Sequence, residues 1–166
     1  MILYVCRHGV AAEAPPGGDD RLRRLTPRGR SRMEAAAAGM RAIGMKVDVI
    51  LTSPLPRAAE TAAIIAAAYR GSLRPRELSA LAPGVAPPET LQALRSYGRH
   101  DAVMIVGHEP GLSRLASLVL SGSPDRVPID LKKGGCIAIE LEQLVPPAGA
   151  TLRWLLTGRH LRRVGR

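Results

Sequence analysis

Phenylalanine is absent from the sequence, tryptophan occurs once, and aromatic residues make up only 2% of the chain. A chain this poor in rings offers no stacking platform for single-stranded nucleic acid. No run of about 18 apolar residues occurs, which excludes a membrane-spanning helix, and no membrane partner is expected. The opening residues, "MILYVC", carry neither a basic stretch nor a small-residue cleavage site. A secretory signal is therefore not expected, and the expected location is cytoplasmic. Only two cysteines are present, Cys6 and Cys136, and neither has metal-ligand spacing. Both fall in apolar runs, so a reduced, buried pair is expected. Carboxylate clusters and a glycine-rich phosphate loop are also missing, so neither a metal nor a cofactor is expected.

What is present is a chain of 166 residues that is 46% hydrophobic, enough for one proper core. A single domain over residues 1–166 is expected, ending in a basic tail at 159–166. The formal net charge is +10, and only three of the 24 basic residues are lysine. Arginine, alanine, glycine and proline are all abundant, the bias of a GC-rich coding sequence. With its cations spread along the chain, the protein is not expected to bind nucleic acid; acidic substrates, phosphate among them, fit the charge.

Apolar and helical segments alternate. Residues 2–6 read as a buried strand, followed by the Pro/Gly-rich loop "EAPPGGDDRLRR". Residues 25–44 read as a helix with Thr26 as N-cap, Pro27 at the first helical position and Gly44 at the end. A second strand at 47–53 precedes a helix at 54–71 ended by Gly71. "LRPREL" reads as a short edge strand. A third helix covers 87–98, a third strand 101–108 and a fourth helix 110–122. Strands at 135–142 and 151–158 are separated by a short Pro/Gly turn and read as antiparallel neighbours. The final "RHLRRVGR" reads as a short helix or a loose tail. Strands joined by helical crossovers imply an α/β fold: a three-layer α/β/α sandwich with a mainly parallel sheet and an antiparallel edge.

Three of these strands end in unusual polar residues: Arg7–His8–Gly9, then Ser53 with Arg57 close behind it, then Gly107–His108–Glu109–Pro110. Ligands of open α/β sheets bind at the carboxyl ends of parallel strands, so the three sets converge on one crevice. Two arginines and two histidines suit a phosphoryl group. Guanidinium forks bind phosphate oxygens and neutralise charge during transfer. One neutral imidazole can attack phosphorus, and the second can hold an oxygen. Arg57 in the first turn of a helix opposes the helix dipole, so it needs an anion beside it. Ser53 before a proline has a competing reading as a helix N-cap.

"RHG", "LTPRG", "SPLPRAAETA" and "VGHEP", in that order and each at its expected place, resemble the histidine phosphatase (phosphoglycerate-mutase-like) superfamily over residues 2–160. The short chain is most similar to the SixA-type branch of phosphohistidine phosphatases. The resemblance implies that His8 is the nucleophile and that Arg7, Arg57 and His108 bind the phosphoryl group, with Ser53 shaping the pocket as a further phosphate-binding residue. Larger members carry a proton-donating carboxylate in an insertion that is short here, "LSALAPGVAPPETL". Asp20 is the candidate donor, with Glu13 behind it. A weak acid favours a substrate whose leaving group needs little protonation, such as phosphohistidine. The expected activity is metal-independent hydrolysis of phosphohistidine on a partner protein, such as a phosphotransfer domain, with inorganic phosphate as product. Two alternatives stand beside it: a phosphatase of small phosphate esters, and a phospho-residue binding module without turnover.

Overall fold

In a computed structural model, residues 1–14, 16–69, 73–142, 144 and 150–165 are described. The strands are β1 (Ile2–Arg7), β2 (Val49–Thr52), β3 (Arg76–Glu77), β4 (Ala102–Gly107), β5 (Cys136–Glu140) and β6 (Thr151–Leu156). The helices are α1 (Pro27–Ala42), α2 (Pro56–Ala68), α3 (Pro87–Leu94), α4 (Gly111–Ser121) and α5 (Gly158–Val164). One sheet runs β3-β2-β4-β1-β5-β6. β3, β2, β4 and β1 are mutually parallel, whereas β5 and β6 run antiparallel at one side.

The alternation of strand residues separates two cores. Leu3 and Val5 of β1 join Val103 and Ile105 of β4, packed under Leu91 and Leu94 of α3 and Leu112 and Leu115 of α4. Tyr4 and Cys6 join Met104 and Val106 on the opposite face, against Met33 and Met40 of α1, Ala58 and Ile65 of α2 and Leu161 of α5. The expected three layers follow directly. β4 is buried on both faces throughout, as a central parallel strand must be. Among the described residues, no helix is long and apolar enough to cross a membrane.

Cap chemistry sets the helix ends. Thr26 accepts from Gly29 N at 2.8 Å at the start of α1, and Gly44 lies past its end with a left-handed φ of 75°. The third helix is shorter than expected: α3 stops at Leu94 and a 3₁₀ turn, Arg95–Tyr97, completes the segment. Gly71 and most of the turn before β6 lie outside the described residues. Cys6 and Cys136 face each other across β1 and β5, free and buried.

The basic tail is a helix rather than a loose end. α5 buries Leu161 and docks on α1 at Gly39, where an added Cβ would stand 1.9 Å from the Leu161 carbonyl oxygen. Only glycine permits that approach. Gly29 does the same at the other end of α1, where a Cβ would lie 2.0 Å from Val10 O. The segment after Gly9 is thereby held against the helix.

Candidate active site

Parallel register brings the chemistry together. Arg7 pairs with Gly107 across β1 and β4, so the next residues, His8 and His108, emerge side by side. Their ring centroids are 5.1 Å apart at an interplanar angle of 52°. A cavity of about 310 Å³ at this strand end is lined by Arg7, His8, Asp20, Arg23, Arg57, Pro83, His108, Glu109 and Lys133. The four residues on which the sequence reading rests most are thus brought to one place.

His8 is held in one tautomer. Its Nδ1 lies 2.7 Å from Gly9 O. A carbonyl only accepts, so Nδ1 carries the proton and Nε2 keeps its lone pair. Burial first, then Arg57, Arg7 and Lys133, lower the His8 pKa to about 4, which keeps the ring neutral at neutral pH. The Gly9 turn is fixed by Thr61, whose Oγ1 accepts from Gly9 N at 3.0 Å and donates to Arg57 O at 2.7 Å. Thr61 therefore ties the His8–Gly9 loop to the first turn of α2.

His108 is held from behind by Ser53. His108 Nε2 and Ser53 Oγ are 2.8 Å apart, and Ser53 Oγ also accepts from Leu55 N at 3.3 Å. Among the described residues the Ser53 hydroxyl proton has no acceptor other than Nε2, so it points there, which leaves the imidazole proton on Nδ1. Burial, the neighbouring His8 and Arg57 lower the His108 pKa to about 3. It therefore presents a neutral N–H donor. Ser53 is fully buried and does not line the cavity. It acts through His108 instead of touching phosphate, and it does not cap α2, whose N-cap is Leu55.

Arg57 is buried, with its side chain 6% exposed. Its NH1 donates to Asp20 O at 2.8 Å and its NH2 to Asp20 Oδ2 at 3.1 Å. The anion that its place at the start of α2 requires is thus Asp20. That pairing corrects the expected role of Asp20. Bonding to Arg23, together with Arg57, holds its carboxyl below the usual carboxylate range. An ionised carboxylate paired with Arg57 is a poor proton donor. Glu13 is exposed and does not line the cavity.

The sequence reading did not place Arg23, Pro83 or Lys133 at the cavity, and it placed Glu109 at the strand end without giving it a role. Glu109 accepts from Ser113 N at 3.1 Å and from Ser113 Oγ. Burial raises its pKa, which makes it the better proton carrier of the two carboxyls here. The signal was its place beside His108 at the strand end.

Among the described residues, the buried side-chain nitrogens without a hydrogen-bond partner are Arg7 Nε, Arg57 Nε and His108 Nδ1. Such orphans are costly and rare. All three belong to residues lining this cavity, and all three are donors. Arg7 NH1 is tied to Leu131 O at 2.9 Å, which orients the guanidinium. Two guanidinium groups and an imidazole that line one cavity, each with a nitrogen the protein leaves unpaired, suit an oxyanion. Among the described residues, no group of three or more His, Cys, Asp or Glu is arranged to hold a metal ion.

Comparison with known proteins agrees with this geometry. A family model described as histidine phosphatase superfamily (branch 1) matches residues 3–82. An uncharacterized protein of Picosynechococcus is 36% identical over 141 residues, covering 84% of each chain. The structure of the protein histidine phosphatase SixA complexed with tungstate is similar in fold, with a TM-score of 0.84 and 20% identity, covering 97% of this chain and 99% of that one. The alpha-ribazole phosphatase from Shigella flexneri is also similar, with a TM-score of 0.73 and 17% identity, covering 95% of this chain and 97% of that one. With the Arg7–His8–Gly9 strand end inside the matched segment and a relative above one-third identity across most of its length, this chain belongs to the histidine phosphatase superfamily.

Proposed function

We propose that the protein is a metal-independent phosphatase that removes the phosphoryl group from phosphohistidine on a partner protein, through a covalent intermediate at His8. The observation that carries this reading is the set of three unpaired buried donors, Arg7 Nε, Arg57 Nε and His108 Nδ1, around a neutral histidine with a free Nε2.

His8 Nε2 attacks phosphorus as the bond to the leaving group breaks. Arg7 and Arg57 neutralise charge growing on the phosphoryl oxygens, the task a divalent ion performs in other phosphoryl-transfer sites. Phosphorylated His8 carries charge on its ring, which the Gly9 carbonyl stabilises through Nδ1–H. Water then attacks phosphorus, inorganic phosphate leaves, and Nε2 regains its lone pair. A departing imidazole can be protonated on its own ring, so Glu109 need supply little. An alkoxide would need the Glu109 proton.

A second reading, a phosphatase of small phosphate esters, is favoured by the raised pKa of Glu109, which gives the cavity a carboxyl able to hold a proton. A panel of phosphohistidine protein, phosphoramidate, aryl phosphates and alkyl phosphates decides between them. The phosphohistidine reading expects fast turnover of the first three and slow turnover of the last. Uniform rates across leaving groups would select the ester reading. Stoichiometric phosphate binding without turnover or a phosphoenzyme would instead make this a binding module. His8→Ala should abolish both turnover and the trapped phosphoenzyme.

A further inference from the structure

Beside the catalytic cavity lies a second one of about 300 Å³, lined by Arg32 of α1, Lys132 and Lys133 of the turn before β5, and Arg159 and Arg162 of α5. Its floor is the Gly9–Val10 backbone that follows the nucleophile. Lys133 lines both cavities, and its charge is among those that lower the His8 pKa. No carboxylate is among the lining residues; the Asp130 partner of Lys132 lies outside them. A cavity of similar size at the opposite edge of the sheet, lined by Asp48, Arg74, Arg76 and His100, mixes charges of both signs. The abundance of arginine in this chain therefore does not by itself make a purely cationic cavity.

The gathering has structural causes. The five cations come from three segments far apart in sequence: α5 docks on α1 at Gly39, and Gly134, next to Lys133, donates to Arg7 O and His8 O. Even with Lys132 paired to Asp130, Arg32, Lys133 and Arg159 crowd one concavity and repel one another, and an anion between them relieves that repulsion.

We propose that this cleft is a second anion subsite, which holds another anionic group, phosphate or carboxylate, of the same substrate whose phosphoryl group sits against His8. The proposal rests on the phosphatase reading. It deepens that reading by requiring a substrate with two anionic ends, either a polyphosphorylated small molecule or an acidic face around a phosphorylated residue.

The test compares the wild type with Arg32→Gln/Arg159→Gln and, independently, Lys132→Gln. Phenyl phosphate, with a single anionic group, serves as the reporter substrate. In the wild type, tripolyphosphate should inhibit its hydrolysis about tenfold more tightly than orthophosphate does. The double variant should lose that margin, Lys132→Gln part of it, and phenyl phosphate kcat should stay within about twofold. Phosphohistidine peptides flanked by glutamate or by glutamine separate the sources. A lower KM for the glutamate form in the wild type alone assigns the anion to a protein. Equal KM values with the tripolyphosphate margin intact assign it to a small molecule. The same tripolyphosphate-to-orthophosphate ratio in all three proteins, with no peptide preference, would overturn the subsite. Calorimetric binding of tripolyphosphate reports on the cleft even if no phosphoenzyme forms, so failure of the subsite and failure of the phosphatase reading are distinguishable.

Discussion

The two cavities that share Lys133 are built on opposite principles. The catalytic one has both signs of charge, two buried imidazoles and donors held by backbone carbonyls: Arg7 by Leu131, His8 by Gly9, Arg57 by Asp20. The neighbouring one carries cations as its only charged lining residues, mostly on exposed side chains, with Lys132 paired to Asp130 outside the cavity. Fixed, desolvated groups can favour a transition state because they need no reorganisation at the moment of reaction. Mobile exposed charges add attraction and selectivity without chemistry. Preorganisation, more than charge count, should therefore separate the effects of substitutions in the two.

The largest expected effect is from Arg57→Ala, which should lower kcat/KM about 10²- to 10³-fold for every substrate, as loss of a transition-state donor does. A loss no greater than that of Arg32→Gln/Arg159→Gln would erase the distinction between the cavities.

Next is pH. The pKa values of His8 and His108, about 4 and about 3, lie below the ordinary histidine value. The unfolded chain then takes up protons first as pH falls. Stability from the two neutral rings is complete above about 6.5 and is lost on descending through about 4, on the order of a few kcal/mol. Urea unfolding between pH 7 and 4 should show this loss, and His8→Gln/His108→Gln should flatten it. Ring proton resonances that titrate near 6.5 in the unliganded protein would contradict the burial argument.

Glu109→Gln sharpens the comparison within the catalytic cavity. Alkyl phosphate turnover should fall about tenfold or more, and phosphohistidine turnover far less, because only the former needs a donated proton. Equal losses would give Glu109 a structural role, holding the start of α4 through Ser113.

The smallest effect carries the most informative sign. Asp20→Asn should tighten inhibition by orthophosphate about two- to threefold, because an exposed charge that competes for Arg57 is removed. Weaker phosphate binding would make Asp20 a supporting residue, not a competitor.

Much of the catalytic cavity was legible in the sequence because its residues sit at the ends of apolar strands. "RHG" after β1 and "GHEP" after β4 needed only the rule that parallel strands present their carboxyl ends to one crevice. The run 2–6 was legible as a buried strand, and the structure divides it between two cores, Leu3 and Val5 on one face and Tyr4 and Cys6 on the other. Asp20 was misjudged because nothing in a loop sequence tells that a carboxylate will bond an arginine 37 positions later. Ser53 was read as a cap or a phosphate ligand because its actual partner, His108, lies 55 positions away.

By itself, then, the sequence determined the order of strands and helices, the three-layer class and the identity of the two histidines and two arginines at the strand ends, because periodicity and strand-end position are local properties of the chain. Only the tertiary structure decided the tautomer of His8, the Ser53 and Thr61 supports, the ionised state of Asp20, the raised pKa of Glu109 and the cationic cleft. Each of these depends on burial and on distances between segments remote in sequence, and the cleft exists because α5 closes on α1 where Gly39 leaves room for it.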